Sequence, residues 1–232
     1  MIGIEKSSMP RQAQEALAFD ETRAFGTISS MPEVRQTLFD AQHGRCAYCE
    51  RELSLKPGRT RIEHFHPQSG AFLSPACSTQ SGAKKAEDAP VAWWNLLLAC
   101  PGKGDQGQET CDVSKHQKDV CEAIHNPRLM TPSTSQVRVD GVSGRVLAAN
   151  DDDEATRVVD EVLRLNDPAL CRERSNVWSA VVRRLGEMSK AAARRHKGGQ
   201  APKADAEAML EEAVRTKPFG SVYLSLLEKK RR

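Results

Sequence analysis

No apolar run in this chain approaches the roughly 20 residues that a membrane-crossing helix needs. Residues 1–20 lack a basic end followed by an apolar stretch, so no secretory leader is expected and the protein is assigned to the cytoplasm. There is no internal repeat, which excludes a solenoid or propeller, and no heptad pattern long enough for a coiled coil. Charge of one sign is lacking too: 34 Lys+Arg face 31 Asp+Glu, a net +3. What is left is an ordinary globular composition, 39% hydrophobic and 28% charged. A length of 232 residues allows one domain or one and a half, with a sizeable core.

Within that balanced total the charge is uneven. Residues 170–232 hold 15 Lys+Arg against 7 Asp+Glu, and the rest of the chain holds 19 against 24. A basic end of this kind fits contact with nucleic-acid phosphates. Solvated faces of surface helices fit it equally well. Arg183, Arg184, Arg194, Arg195 and Lys197 are the candidate phosphate contacts, with the Lys229-Lys230-Arg231-Arg232 run. The same residues could dock a partner protein.

The sequence pattern predicts helices over 12–25 and 32–42. In the second, Val34, Leu38 and Ala41 recur at helical spacing, Pro32 sits early where proline is tolerated, and Gly44 ends it. Turn and short strands are expected over 46–67, with a strand at 59–65. Residues 68–90 read as a long surface loop, 91–100 as a buried turn or short helix, 101–110 as a loop and 111–124 as a helix. A hairpin is expected over 136–148, around Asp140-Gly141 and Gly144. Helices follow at 154–165, 168–195 and 204–215, the last two parted by Gly198-Gly199-Gln200-Ala201-Pro202. The fold class is α+β, divided into an N-terminal helical segment (1–43), a central chemistry-bearing part (44–130), and a hairpin with basic helices (131–232).

The seven cysteines are an odd number. In a reducing compartment, short-spaced pairs bind metal more often than they form disulfides. Cys46 and Cys49 form a Cys-x-x-Cys turn, and Cys100 and Cys111 form a wider second pair. Four thiolates suit a tetrahedral structural zinc. A Cys-x-x-Cys redox pair is the competing reading, but no βαβ pattern surrounds it. Cys77, Cys121 and Cys171 have no ligand spacing and read as small, semi-buried hydrophobes.

Between the cysteine pairs lies Glu63-His64. Phosphodiester hydrolysis needs a base for water and a cation to absorb charge on the phosphate. Neighbours on a strand point to opposite faces, so a bend must bring this carboxylate and imidazole together. His66 would share the face of His64, either as a substrate contact or as a packing histidine. His43 and His125 carry no partner spacing. Trp93 and Trp94, beside Leu96-Leu97-Leu98, read as core more readily than as base-stacking platforms.

Taken in order, Cys46-x-x-Cys49, Glu63-His64-x-x-Pro67, Asn95-Leu96, Cys100 and Cys111-Asp112-x-x-Lys115 resemble the HNH endonuclease family. The likeness covers about residues 42–118. The flanking residues, Arg45 to Glu50, Ile62 to Ser69 and Trp94 to Leu97, are similar to its PtuB-like branch, the HNH effectors of Septu and certain retron anti-phage systems. The resemblance implies a ββα-metal (His-Me finger) core closed by the cysteine zinc site. It implies that His64 is the general base, that Glu63 and Asp112 hold a catalytic Mg²⁺ or Mn²⁺, that Asn95 braces the loop and orients the base, and that Lys115 faces phosphate. It also implies a bacterial anti-phage endonuclease acting on DNA or tRNA with a PtuA-like ATPase, and with a reverse transcriptase and its msDNA if retron-associated.

Glu63 stands where Asp is usual and Asp112 where Asn or His is usual. The 101–110 insertion leaves the last motif's register open, so His116 rivals Asp112 as metal ligand. The alternative function is a non-catalytic zinc-stabilised module that binds nucleic acid or a partner.

Overall fold

A short antiparallel ribbon carries the central part of the chain in the computed structural model, which describes residues 1–20, 22, 24–68, 75–81, 89–195 and 203–231. Strand β1 (Arg61–His64) pairs with β2 (Leu96–Ala99), Glu63 opposite Leu97 and His64 opposite Leu96. All four β2 residues are buried, so this apolar run is a strand covered on both faces rather than the turn or short helix expected for 91–100. A single 3-10 turn, Trp93–Asn95, leads into it. The outer edge of β2 is closed by buried Gln42, whose Oε1 accepts from Leu98 N at 2.7 Å and whose Nε2 donates to Leu98 O at 2.8 Å. A buried edge must have its polar groups paired, and Ala47 N, which also donates to Leu98 O at 3.1 Å, completes what Gln42 begins.

Gln42 is delivered by α3 (Pro32–Ala41), with Pro32 in its first turn and Val34, Leu38 and Ala41 buried, as the spacing predicts. The helix expected at 12–25 is two pieces. Helix α1 (Arg11–Phe19) stops at Asp20, and α2 (Phe25–Ser29) starts anew. Asp20 is the cause: its carboxylate accepts from Thr22 N and Ala24 N, both at 3.0 Å, drawing the backbone out of the helix.

The 68–90 stretch contains a helix, α4 (Pro75–Ser81). Helix α5 (Cys111–Lys115) is much shorter than the expected 111–124, because the chain leaves the helix at His116, where φ is 50°. The hairpin forms as β3 (Val137–Val139) and β4 (Val146–Ala148). Gly144 takes φ +71° at its turn, against Cys171 O, where any Cβ would collide.

Helix α6 (Asp153–Arg157) is capped by Asp152, which accepts from Ala155 N, and runs on through a wider turn, Val158–Val162. Helices α7 (Pro168–Arg195) and α8 (Lys203–Thr216) match expectation closely. Their parting at 198–202 lies outside the described residues. A further helix, α9 (Gly220–Arg231), packs Val222, Leu226 and Leu227 inward.

One buried cluster takes side chains from every part of the chain, Leu38, Leu98, Val139 and Leu227 among them. The C-terminal helices dock on the residues flanking Cys46 and Cys49. Arg45 Nη1 donates to Val214 O at 2.8 Å, Glu50 Oε2 accepts from Ser221 N at 2.7 Å, and Arg51 pairs with Glu173 at 2.6 Å. No helix among the described residues is long and apolar enough to cross a membrane.

Candidate metal centre and cleft

The Cys46–Cys49 turn, the end of β2 and the start of α5 meet in one place. Cys46, Cys49, Cys100 and Cys111 are all buried, with their four sulfurs within 4.8 Å of one another. The Sγ atoms of Cys49 and Cys100 lie 3.8 Å apart, as do those of Cys100 and Cys111. A tetrahedron of thiolates about 2.3 Å from zinc has edges of about 3.8 Å. Cys100 N donates to Cys46 Sγ at 3.4 Å, orienting that sulfur. Contact with the neighbouring sulfurs, Cys100 first, pushes the Cys49 and Cys111 thiols well above the usual range. Four sulfurs packed this closely can be thiolates together only around a cation. This group could hold a metal such as zinc.

Beside it opens a cleft of about 400 Å³ whose lining includes Arg61, Glu63, His64, Asp112 and His116. Glu63 and His64 are neighbours on β1, yet both reach the cleft, because β1 ends at His64 and the chain turns away. Asp112 comes from the first turn of α5, one residue after Cys111. The Glu63 carboxyl is nearly buried. It accepts from Tyr48 Oη at 2.8 Å, pairs with Lys115 Nζ at 2.8 Å, and lies beside the Asp112 carboxyl. Burial first, and then Asp112, push its pKa up to about 8, against the pull of Lys115. Arg61 Nε meets Asp112 Oδ2 at 2.6 Å. Two carboxyls side by side, open to a polar cleft, are a donor set that fits a hard divalent cation, which asks for one or two carboxylates plus water.

His64 is held in one orientation. Its Nε2 lies 2.9 Å from Pro90 O, and the edge of Phe25 packs on the ring with centroids 4.4 Å apart. A carbonyl only accepts, so Nε2 carries the proton and Nδ1 is left as a base. Burial lowers the pKa of His64, which keeps the ring neutral at pH 7. Asn95 sits beneath. Its Oδ1 accepts from His66 N at 2.7 Å, and its Nδ2 donates to His66 O at 3.0 Å and to Ala89 O at 2.9 Å. It thereby ties the chain after β1 to the segment that presents Pro90 O.

Several residues stand elsewhere than expected. Lys115 does not face phosphate: it is 1% exposed, and its Nζ reaches Glu63 and, at 3.0 Å, His64 O. His116 lines the cleft, but its Nε2 faces Glu109 at 3.4 Å and its side chain is largely exposed, so Asp112 is the residue beside Glu63. His66 is not a substrate contact. It is buried, with Nδ1 among Cys77, Asp119 and Cys121. Cys77 and Cys121, read as isolated hydrophobes, are disulfide-bonded to each other in that cluster. The sequence holds only a faint signal for it, the Asp119-x-Cys121 pair. Tyr48 and Arg61, which touch the two carboxyls, were not singled out by sequence.

Trp93 is partly buried, with its Nε1 donating to Ser7 O and Arg128 over its ring. Arg183, Arg184 and Arg194 are exposed on α7. Arg195 ends that helix, and Lys197 lies outside the described residues. No protein-family model matches the chain, and no curated protein matches it.

Proposed function

We propose that this protein is a metal-dependent HNH-type endonuclease, with a ββα-metal core made of β1, β2 and α5 and a structural zinc on Cys46, Cys49, Cys100 and Cys111. The observation that carries the reading is His64 in the cleft beside Glu63 and Asp112, with its Nε2 on Pro90 O. That hydrogen bond leaves Nδ1 to take a proton from a water attacking a phosphodiester. Glu63 and Asp112 would hold Mg²⁺ or Mn²⁺, which supplies charge neutralisation at the phosphate when bound. Asn95 keeps Pro90 O in register with the imidazole. Exposed Arg183, Arg184 and Arg194 would contact phosphates. The PtuB-like flanking residues extend the proposal to anti-phage defence alongside a PtuA-like ATPase, with DNA or tRNA as substrate and a reverse transcriptase and msDNA in a retron setting.

The test is cleavage of DNA and tRNA by purified protein with Mg²⁺, Mn²⁺ or EDTA, alone and with the ATPase partner. His64→Ala is expected to abolish metal-dependent cleavage with zinc content and fold unchanged; undiminished cleavage would overturn the role of His64. A second reading rests on the two carboxyls being met by Lys115 and Arg61, as in a purely structural network. In that case the protein is a zinc-stabilised binding module, and it would bind nucleic acid without cutting it, partner present or not.

A further inference from the structure

We infer that His66, Cys77, Asp119 and Cys121 form a second metal site, which takes zinc when the two cysteines are thiols. The inference stands on geometry and chemistry at these four residues and is independent of any nuclease activity. All four offer a ligand atom, and these atoms lie within 4.8 Å of one another. Three of the four residues are buried, and Asp119 reaches in from the surface.

The distances have the pattern of a coordination shell. His66 Nδ1 lies 3.4 Å from Cys77 Sγ, 3.8 Å from Cys121 Sγ and 3.2 Å from Asp119 Oδ2. With zinc about 2.3 Å from sulfur and about 2.0 Å from nitrogen or oxygen, tetrahedral nitrogen–sulfur and nitrogen–oxygen edges are about 3.5 and 3.3 Å. All three edges from His66 therefore suit one ion. The Asp119 carboxylate is already aimed: Oδ1 accepts from Cys121 N at 2.9 Å, which turns Oδ2 toward the imidazole. Two thiolates, one imidazole and one carboxylate are a donor set that prefers zinc over the hard cations suited to Glu63 and Asp112.

In this structure Cys77 and Cys121 are joined as a disulfide. Opening it takes two electrons and two protons from a thiol reductant, which leaves as its own disulfide. The S–S bond breaks and two thiols form. Binding of Zn²⁺ then displaces both thiol protons and makes two sulfur–zinc bonds. Either state ties α4 to the 119–121 turn. The zinc state recruits His66 and Asp119 as well, and so fixes the chain two residues beyond His64.

The experiment uses the full chain, purified with a thiol reductant under exclusion of air and loaded with Zn²⁺ alone. Metal analysis is expected to give about two zinc ions per chain, falling to about one in the Cys77→Ser/Cys121→Ser double variant. Cobalt substitution gives a second readout. With six thiolate ligands reduced to four, the near-ultraviolet sulfur-to-cobalt band should lose about a third of its intensity. A third readout needs no variant: in the reduced wild-type chain, zinc should protect Cys77 and Cys121 from alkylation, and a chelator should expose them. Asp119→Ala, an exposed change, should weaken zinc retention at this site with the first ion kept. About one zinc per reduced chain would overturn the assignment. So would two that persist in the double variant, or alkylation of Cys77 and Cys121 that zinc does not slow.

Discussion

Replacing Glu63 by Gln should remove the loss of stability that rising pH causes in the cleft. Burial beside Asp112 raises the Glu63 pKa from 4.5 to about 8, so the fold favours its protonated form. The stabilisation is complete below pH 4.5 and is lost as pH rises through about 8. Each pH unit in that window costs about 1.4 kcal/mol, at most on the order of 5 kcal/mol over the whole of it. Glutamine cannot ionise, yet it keeps an oxygen for Tyr48 Oη and Lys115 Nζ. Without divalent ions, Glu63→Gln should therefore match wild type near pH 5 and exceed it by a few kcal/mol near pH 8. Mg²⁺ should oppose this difference. An ion held by Glu63 requires the carboxylate, so its stabilisation of wild type should grow with pH across the same window and be absent in the variant. Denaturant unfolding at several pH values, with MgCl₂ or EDTA and zinc held constant, measures both effects. Taking the difference between variant and wild type removes the contribution of His64. That contribution has the opposite sign: a lowered pKa gives stability present above pH 6.5 and lost as pH falls. Parallel pH profiles for the two proteins, or equal stabilisation of both by Mg²⁺, would refute the reasoning.

Asn95→Ala leaves one buried N–H and two carbonyls without their side-chain partner, each worth about 1–3 kcal/mol, so the melting temperature should drop markedly. Below that temperature, metal-dependent cleavage should fall further than the folded fraction, since Pro90 O loses its tie; cleavage that tracks folding alone would limit Asn95 to a structural role. Arg183→Gln/Arg184→Gln should weaken nucleic-acid binding and flatten its salt dependence, as read by fluorescence anisotropy across a salt series. Lys115→Met should leave that salt slope unchanged, because Lys115 is buried against Glu63, and should lower stability instead.

The four-cysteine cluster was legible because thiol ligands at short spacing have few other uses in such a chain. Glu63, His64 and Asp112 were legible as an ordered motif, but their convergence on one cleft was not, since β1 alone would point Glu63 and His64 apart. The β2 strand was missed because Leu96-Leu97-Leu98 is apolar without a period. Its strand character comes from pairing with β1 and from Gln42, 56 residues before Leu98. Helix α5 ends early through the backbone turn at His116, which no propensity in 111–124 foretells. The partners of His66 stand 11 and 55 residues away, beyond any local pattern. The burial of Lys115 follows from its place on the last turn of a short helix tucked under β1.

The two thiol clusters and the cleft share one piece of chain. Tyr48, inside the Cys46–Cys49 turn, donates to Glu63, and Cys111 immediately precedes Asp112, so the first cluster sets the separation of the two carboxyls. His66, held by the second cluster, is bound through its own N–H and C=O to Asn95, which also holds Ala89 next to Pro90. The position of the His64 ring is thus set from the other side. Aligning the His64 imidazole and Glu63 carboxyl of a four-residue strand with the Asp112 carboxyl of α5 is beyond what two hydrogen-bonded strands can enforce, since an isolated ribbon is marginal in water. Anchors at both ends of β1 supply that stiffness. It follows that removing the first cluster, as in Cys46→Ser/Cys49→Ser, should disperse Glu63 and Asp112, whereas removing the second, as in Cys77→Ser/Cys121→Ser, should leave them together and loosen the imidazole, as read by the His64 and Tyr48 ring signals in NMR spectra of each variant.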